Sequence, residues 1–263
     1  MKKIVKGIEP PILLKCRIRN PAYNWKQFKK YSKLYSVISR SYDNPVTDQL
    51  NRDQGGVCAY CEINLIEKDS SGDADFRVEH FHPKSDTSTQ HNWHLDWNNL
   101  LGCCHGGSQR NVVDAGHRFT SPDNSCDVPK GNKNLDSIIL SPLQLPAFPN
   151  LFGCARATGI LVVNTTNCQI ANVSEVRAGN TISELKLDAP RLNKFRKQVL
   201  DKLNDDLSNL VKQGLSIGQA RMRLAQVYLC KNAKMQWPAF FTSIRCYLGA
   251  EAEEHLRNIG FNG

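Results

Sequence analysis

The sequence predicts an α+β fold in which a small metal-held core with short strands is embedded between helical N- and C-terminal regions. Two observations predict it. Between Cys58 and Lys133, cysteines, histidines and carboxylates crowd into one segment that also carries a β-like run. On both sides of it, over residues 24–39 and 188–210, apolar residues return every three or four positions, the period of an amphipathic helix. The expected units are a basic helical region over 1–56, the metal-held core over 57–140 and a strand-plus-helical region over 141–263.

Length and composition fit this picture. The chain has 263 residues, 40% of them apolar and 22% charged, as in ordinary soluble globular proteins. It has no apolar run of about 18 residues and no N-terminal stretch with a signal-peptide h-region, which predicts no membrane association and a cytoplasmic location. There, the ten cysteines are expected as thiols and metal ligands rather than disulfides. The net charge of +9 is unevenly spread: +10 over residues 1–40, −7 over 41–189 and +7 over 190–234. Divalent cations would offset the acidic centre, and the basic flanks could hold a polyanion beside it. Solvated helix faces explain the same distribution equally well.

Taken in order, residues 1–23 are expected to be extended or irregular, because Pro10, Pro11 and Pro21 interrupt helical periodicity. Trp25, Phe28, Tyr31, Tyr35 and Ile38 then form one helical stripe, with Lys26, Lys29, Lys30 and Lys33 outside it. Asn44 and Pro45 open a short helix that Gly55-Gly56 ends. A polar loop with its tip at 70–73 precedes a strand from Phe76 to Phe81. Asp96 to Leu101 begins a short helix or turn, and residues 106–125 are an aperiodic insertion. Residues 146–187 look β-like, with a strand over 159–164. From Asp188 the chain is helical: a stripe through Leu192, Phe195, Val199, Leu203, Leu207 and Leu210 ends at Gly214. Ser216 with Gln219 caps a second helix to Lys231, and Pro238 starts a third.

Cys58-x-x-Cys61 is half of a tetrahedral zinc site, a redox pair or a coincidence. The glycine pair before it and the polar loop after it do not suggest a thioredoxin-like setting. Zinc needs two more soft ligands, for which Cys103, Cys104 and Cys126 are candidates. Adjacent cysteines point in different directions, so one of Cys103 and Cys104 is expected to bind. The five remaining cysteines are scattered singly among apolar residues and read as buried thiols.

Glu79-His80 offers hydrolytic chemistry. A neutral imidazole can take a proton from water near pH 7. A carboxylate beside it can hold Mg²⁺, which stabilises charge on a phosphodiester transition state. Asp127 could supply a second oxygen ligand if zinc draws the two segments together. Asn99 could orient His80, and Lys130 is a candidate phosphate contact. Glu79 and His80 would face opposite sides of a regular strand, so an end or bulge is expected there.

Glu79-His80 with Pro83, then Asn99, then Cys126-Asp127-x-x-Lys130-Gly131, resembles the HNH (His-Me finger) nuclease family and its ββα-metal fold. The resemblance implies His80 as general base, Glu79 and Asp127 as ligands of a catalytic Mg²⁺ or Mn²⁺, and Asn99 holding the base. Its spacing of five residues from Asn to the third cysteine selects Cys104, so that Cys58, Cys61, Cys104 and Cys126 bind a structural zinc. Cys-Ala-Tyr-Cys-Glu, Val-Glu-His-Phe-x-Pro-Lys-Ser, Trp-x-Asn-Leu-Leu and Cys-x-Gly-Gly are similar to the PtuB branch, found in Septu and retron-associated antiphage systems. That implies an effector nuclease acting on DNA or tRNA with a PtuA-like ATPase, and a retron reverse transcriptase with its msDNA as further partners. The chain departs from the general HNH pattern in Glu79, in Asp127 and in the long insertion between the last two cysteines. His82 and His105 are near enough in sequence to compete as ligands. The contrasting reading is a zinc-stabilised nucleic-acid-binding or adaptor protein, which would have no need of Glu79, His80 and Asp127 together.

Overall fold

The computed structural model describes residues 1–39, 45–65, 76–107 and 123–263, with the backbone alone for 36–39. The expected cap at Asn44, the loop tip at 70–73 and, of the insertion over 106–125, residues 108–122 lie outside the described residues.

Three helices open the chain. Helix α1, Pro11–Arg19, occupies part of the stretch expected to be extended. Proline at the first helical position sacrifices no bond, since that N–H is unpaired in any helix, so Pro10-Pro11 starts α1 instead of preventing it. Helix α2, Trp25–Ser39, comes after Asn24, whose side chain accepts from the Gln27 amide while the Gln27 side chain accepts from the Asn24 amide. Helix α3 is Pro45–Gln54. Leu13 and Cys16 of α1, Phe28 of α2, and Val46 and Leu50 of α3 bury against Leu95, Trp97 and Leu100. The basic N-terminal region therefore packs on the segment that leads into the central strands.

Those strands are β1, Arg77–His80, and β2, Leu100–Cys103, antiparallel with Arg77 opposite Cys103 and His80 opposite Leu100. A 3-10 turn, Trp97–Asn99, delivers the chain to β2, where the sequence suggested only a turn or helix. Buried Gln54 completes the edge: its amide donates to the Val57 and Gly102 carbonyls, and the Gly102 amide donates to its Oε1 at 2.6 Å. Helix α4, Asp127–Lys130, is a single turn after Cys126, which adopts a positive φ of 62°.

A second hairpin pairs β3, Phe152–Cys154, with β4, Leu161–Val163. The β-like character expected to continue to 187 stops there. Helix α5, Thr165–Ile170, is capped by the Asn164 side chain, and α6, Glu175–Glu184, by that of Ser174. Local capping of orphan amides outweighs the β-propensity of Ile170, Val173, Val176 and Ile182. Helix α7, Pro190–Lys212, carries the expected stripe, and α8, Ile217–Tyr228, carries the expected Ser216–Gln219 capping box but stops short of Lys231. Helix α9, Phe241–Leu248, starts after Phe240, not at Pro238, and Gly249 separates it from α10, Ala250–Asn258.

The C-terminal region reaches the core at named points. Arg191 of α7 donates from its backbone to Asp123 and from its guanidinium to Ser125, and the Cys126 amide donates to the Leu185 carbonyl. Thr242 of α9 donates twice to Glu62, the residue after Cys61. Among the described residues no helix is long and apolar enough to cross a membrane.

Candidate active site and metal centre

Cys58, Cys61, Cys104 and Cys126 are buried, and their four sulfurs lie within 4.8 Å of one another. Individual separations are 3.6 Å for Cys61–Cys104, 3.7 Å for Cys104–Cys126 and 3.9 Å for Cys58–Cys126. A tetrahedron built on 2.3 Å zinc–sulfur bonds has edges of about 3.8 Å, so this donor set fits zinc. Cys103 approaches Cys58 to 3.7 Å but is not one of the four mutually close sulfurs. The cluster draws together the loop after α3, the end of β2 and the start of α4. That convergence brings Asp127 to the strand carrying Glu79.

Around this cluster, β1 runs regularly to His80 without a bulge. Glu79 and His80 therefore leave on opposite faces, as strand geometry requires. Glu79 meets Lys130, whose Nζ lies 2.8 Å from Oε1 and also donates to the His80 carbonyl at 3.0 Å. Arg77, on the same strand face as Glu79, reaches Asp127 Oδ2 at 3.3 Å and donates to both the ring Nδ1 and the carbonyl of His105. Burial raises the Glu79 pKa against the opposing charge of Lys130. Burial likewise pushes Asp127 up to about 7, with Arg77 opposing and Glu79 adding to the rise.

Among the described residues, the buried atoms Asp127 Oδ1, the Tyr60 hydroxyl and His80 Nδ1 have no hydrogen-bond partner. Tyr60 is fully buried, and the charges of Glu79 and Asp127 both act on its hydroxyl. Buried polar groups are ordinarily satisfied. Two largely buried carboxylates, of which Asp127 keeps an unmatched oxygen, have the donor chemistry of a Mg²⁺ or Mn²⁺ site.

On the opposite face, the His80 ring packs edge-on to Trp25 and to His94, at centroid distances of 5.1 and 6.2 Å. Its Nε2 lies 3.3 Å from the His94 carbonyl. A carbonyl only accepts, so Nε2 carries the hydrogen and Nδ1 keeps its lone pair. Burial, reinforced by the nearby charge of Lys84, pushes the imidazole pKa down to about 3. The His80 ring is thus uncharged at physiological pH.

A relative from Escherichia coli, described as "Retron Ec83 putative HNH endonuclease", is 32% identical over 225 residues, covering 78% of this chain and 81% of the relative. The chain belongs to the HNH endonuclease family. No protein-family model matches it.

Within this HNH chain, two residues sit otherwise than the sequence suggested. Among the described residues, no hydrogen bond joins Asn99 to the His80 ring. Its side chain accepts from the His82 amide at 2.7 Å and donates to the carbonyls of His82 and Trp93, while its own carbonyl accepts from Phe81. It braces the turn just after His80. Lys130 is 1% exposed and directed inward at Glu79, which leaves no face for a phosphate. Its place, one turn beyond Cys126 on α4, tucks the side chain under β1. Neither His82 nor His105 enters the sulfur cluster. His82 stacks on Trp93 and bonds Asp86 and Asp136, one at each ring nitrogen.

Sequence reasoning missed Arg77, Tyr60, Lys84 and His94. Arg77 was legible as the residue two before Glu79, on the same strand face. Lys84 is exposed, and its charge acts on Glu79, His80 and His94. It closes the run Glu-His-Phe-x-Pro-Lys. Tyr60 and His94 had no periodic signal.

Proposed function

We propose that the protein is a metal-dependent endonuclease that hydrolyses phosphodiester bonds in DNA or tRNA, with β1, β2 and α4 as its ββα-metal core. The observation that carries this reading is the pairing of a neutral buried imidazole, its Nδ1 lone pair unengaged, with a two-carboxylate cluster one residue away along β1. A binding module has no need to desolvate these groups together. Zinc held by the four cysteines would fix α4 against β1. A Mg²⁺ or Mn²⁺ ion at Glu79 and Asp127 would supply charge stabilisation to the phosphate and the departing oxygen. His80 Nδ1 takes the proton of the attacking water, Asn99 fixes the turn carrying the base, and Lys84 offers a point charge to the phosphate.

The substrate approaches along α2 more readily than along α7. Lys26, Lys29, Lys30 and Lys33 are exposed on α2, which contains no acidic residue, and Trp25 at its start touches His80. On α7, Lys197 pairs with Asp201 and Lys202 with Asp206, while Arg191 and Arg196 are buried. The relative's name supports a retron setting. In that setting the nuclease is the effector of an antiphage system with an ATPase partner of the PtuA kind, alongside a reverse transcriptase and its msDNA.

The test is cleavage of supercoiled plasmid and of total tRNA with Mg²⁺ or Mn²⁺, by wild type and His80→Ala, with and without the co-purified ATPase. Cutting that falls by about 10²–10⁴ in His80→Ala is expected. Zinc-loaded protein that retains nucleic acid but never cuts it would favour the binding module.

A further inference from the structure

On the nuclease reading, the loop between β1 and β2 carries a second histidine whose hydrogen bonds are as directed as those of His80. The backbone amide of Trp25, the first residue of α2, donates to His94 Nδ1 at 3.2 Å. An amide only donates, so Nδ1 is the acceptor and the hydrogen of the neutral ring resides on Nε2. The first amides of a helix lack intrahelical partners and form its positive end, which disfavours a proton on the ring they face. Burial and the charge of Lys84 lower the His94 pKa in the same direction.

The residue is tethered at every other polar point but one. Its amide donates to Asn92 Oδ1, Asn92 in turn donates to the carbonyls of Pro21 and Tyr23, and its own carbonyl accepts from His80 Nε2. Only Nε2–H has no partner among the described residues. The ring is half-buried, edge-on to His80 and within the field of Lys84. The half-buried ring thus holds a free donor beside His80, within reach of an incoming ligand oxygen.

We propose that His94 is a catalytic residue that donates Nε2–H to a non-bridging oxygen of the scissile phosphate. His80 and His94 then form a complementary pair of neutral imidazoles, one presenting a lone pair to water and the other a hydrogen to the phosphate. Backbone groups set both tautomers. No proton leaves His94; it acts as a fixed electrophile, a role neutral histidines at helix N-termini can fill.

The experiment compares wild type, His94→Gln, His94→Ala and His80→Ala, all zinc-loaded. The substrates are an oligonucleotide spanning the mapped cut and its two phosphorothioate diastereomers at that position. Loss of one preorganised donor lowers turnover by about 10²–10³, so His94→Ala should fall by that factor with KM unchanged, and His94→Gln by less. Sulfur accepts hydrogen bonds poorly, so the His94→Ala penalty should shrink on one diastereomer only. Equal rates for wild type and His94→Ala would overturn the assignment while leaving the nuclease reading intact. So would a penalty identical on all three substrates, which would make His94 merely a support for His80. A wild type that cuts nothing would remove the nuclease reading and this one with it.

Discussion

Lys130 Nζ stands 2.8 Å from Glu79 Oε1, with the lysine side chain 1% and the glutamate side chain 11% exposed. The pair joins the two halves of the candidate site, since Lys130 comes four residues after Cys126 and Glu79 immediately precedes His80. Removing one partner of a buried ion pair leaves an uncompensated charge and costs about 3–5 kcal/mol. Lys130→Met is therefore expected to lower the unfolding free energy of the zinc-loaded, Mg²⁺-free protein by about that amount. Mg²⁺ should recover part of the loss, because an ion at Glu79 replaces the missing charge. Denaturant melts with and without Mg²⁺ check this. A variant of unchanged stability whose nucleic-acid affinity falls with a shallower salt slope would restore Lys130 to the phosphate role expected from sequence.

The four-sulfur cluster separates the adjacent cysteines experimentally. Cys104→Ser should lose bound zinc and the cooperative unfolding of the core, because structural zinc supplies about 10–16 kcal/mol of apparent binding free energy. Cys103→Ser should keep one zinc per chain, since its sulfur stands outside the cluster. Metal content by mass spectrometry after dialysis decides between them. Zinc retained by Cys104→Ser and lost by Cys103→Ser would reverse the ligand assignment.

Proton competition should be visible at Asp127, whose pKa burial pushes up to about 7. Below that value the carboxyl is protonated, and a divalent ion must displace the proton to bind. Mg²⁺ affinity should thus rise with pH up to about 7, by at most tenfold per unit for one proton, and level off above it. Calorimetry of zinc-loaded protein at pH 6, 7 and 8, in buffers of different ionisation enthalpy, measures both the trend and the proton released. Affinity independent of pH, with no proton release, would exclude Asp127 as the ligand.

Legibility in the sequence tracks the range of the interactions involved. Helix α7 and the capping box of α8 were legible because apolar period and cap chemistry are local to a few residues. Helix α1 was misread because Pro10-Pro11 acts as a starter or a breaker according to the residues C-terminal to it. The strand β2 was hidden because Leu100–Cys103 is buried along its whole length and lacks alternation, which a one-sided strand would show. At the site, the cysteines and the Glu79-His80 pair were legible as chemistry. The partner of Lys130 was not, because the approach of Cys126 to Cys58 spans 68 residues, and that closure turns Lys130 inward to Glu79.

A glycine next to the cluster tests how tightly that closure is packed. Gly106 has φ +60°, and a Cβ there would lie 2.2 Å from the Ser125 carbonyl oxygen and 2.8 Å from Val128 Cγ2. Both neighbours flank Cys126, so Gly106→Ala would force apart the segments carrying Cys104 and Cys126. Gly131 offers a matched control, with φ +55° and nothing within 4 Å of its added Cβ. Gly131 has ψ −128°, outside the left-handed helical well, where backbone strain costs about 1–3 kcal/mol, so Gly131→Ala should lose about that much and keep its zinc. Gly106→Ala should lose more stability and a large part of its zinc. Thermal melts with parallel metal analysis read both quantities. Equal losses in the two variants, with zinc retained in both, would mean that the loop after Cys104 yields freely and that the cluster does not depend on its packing against α4.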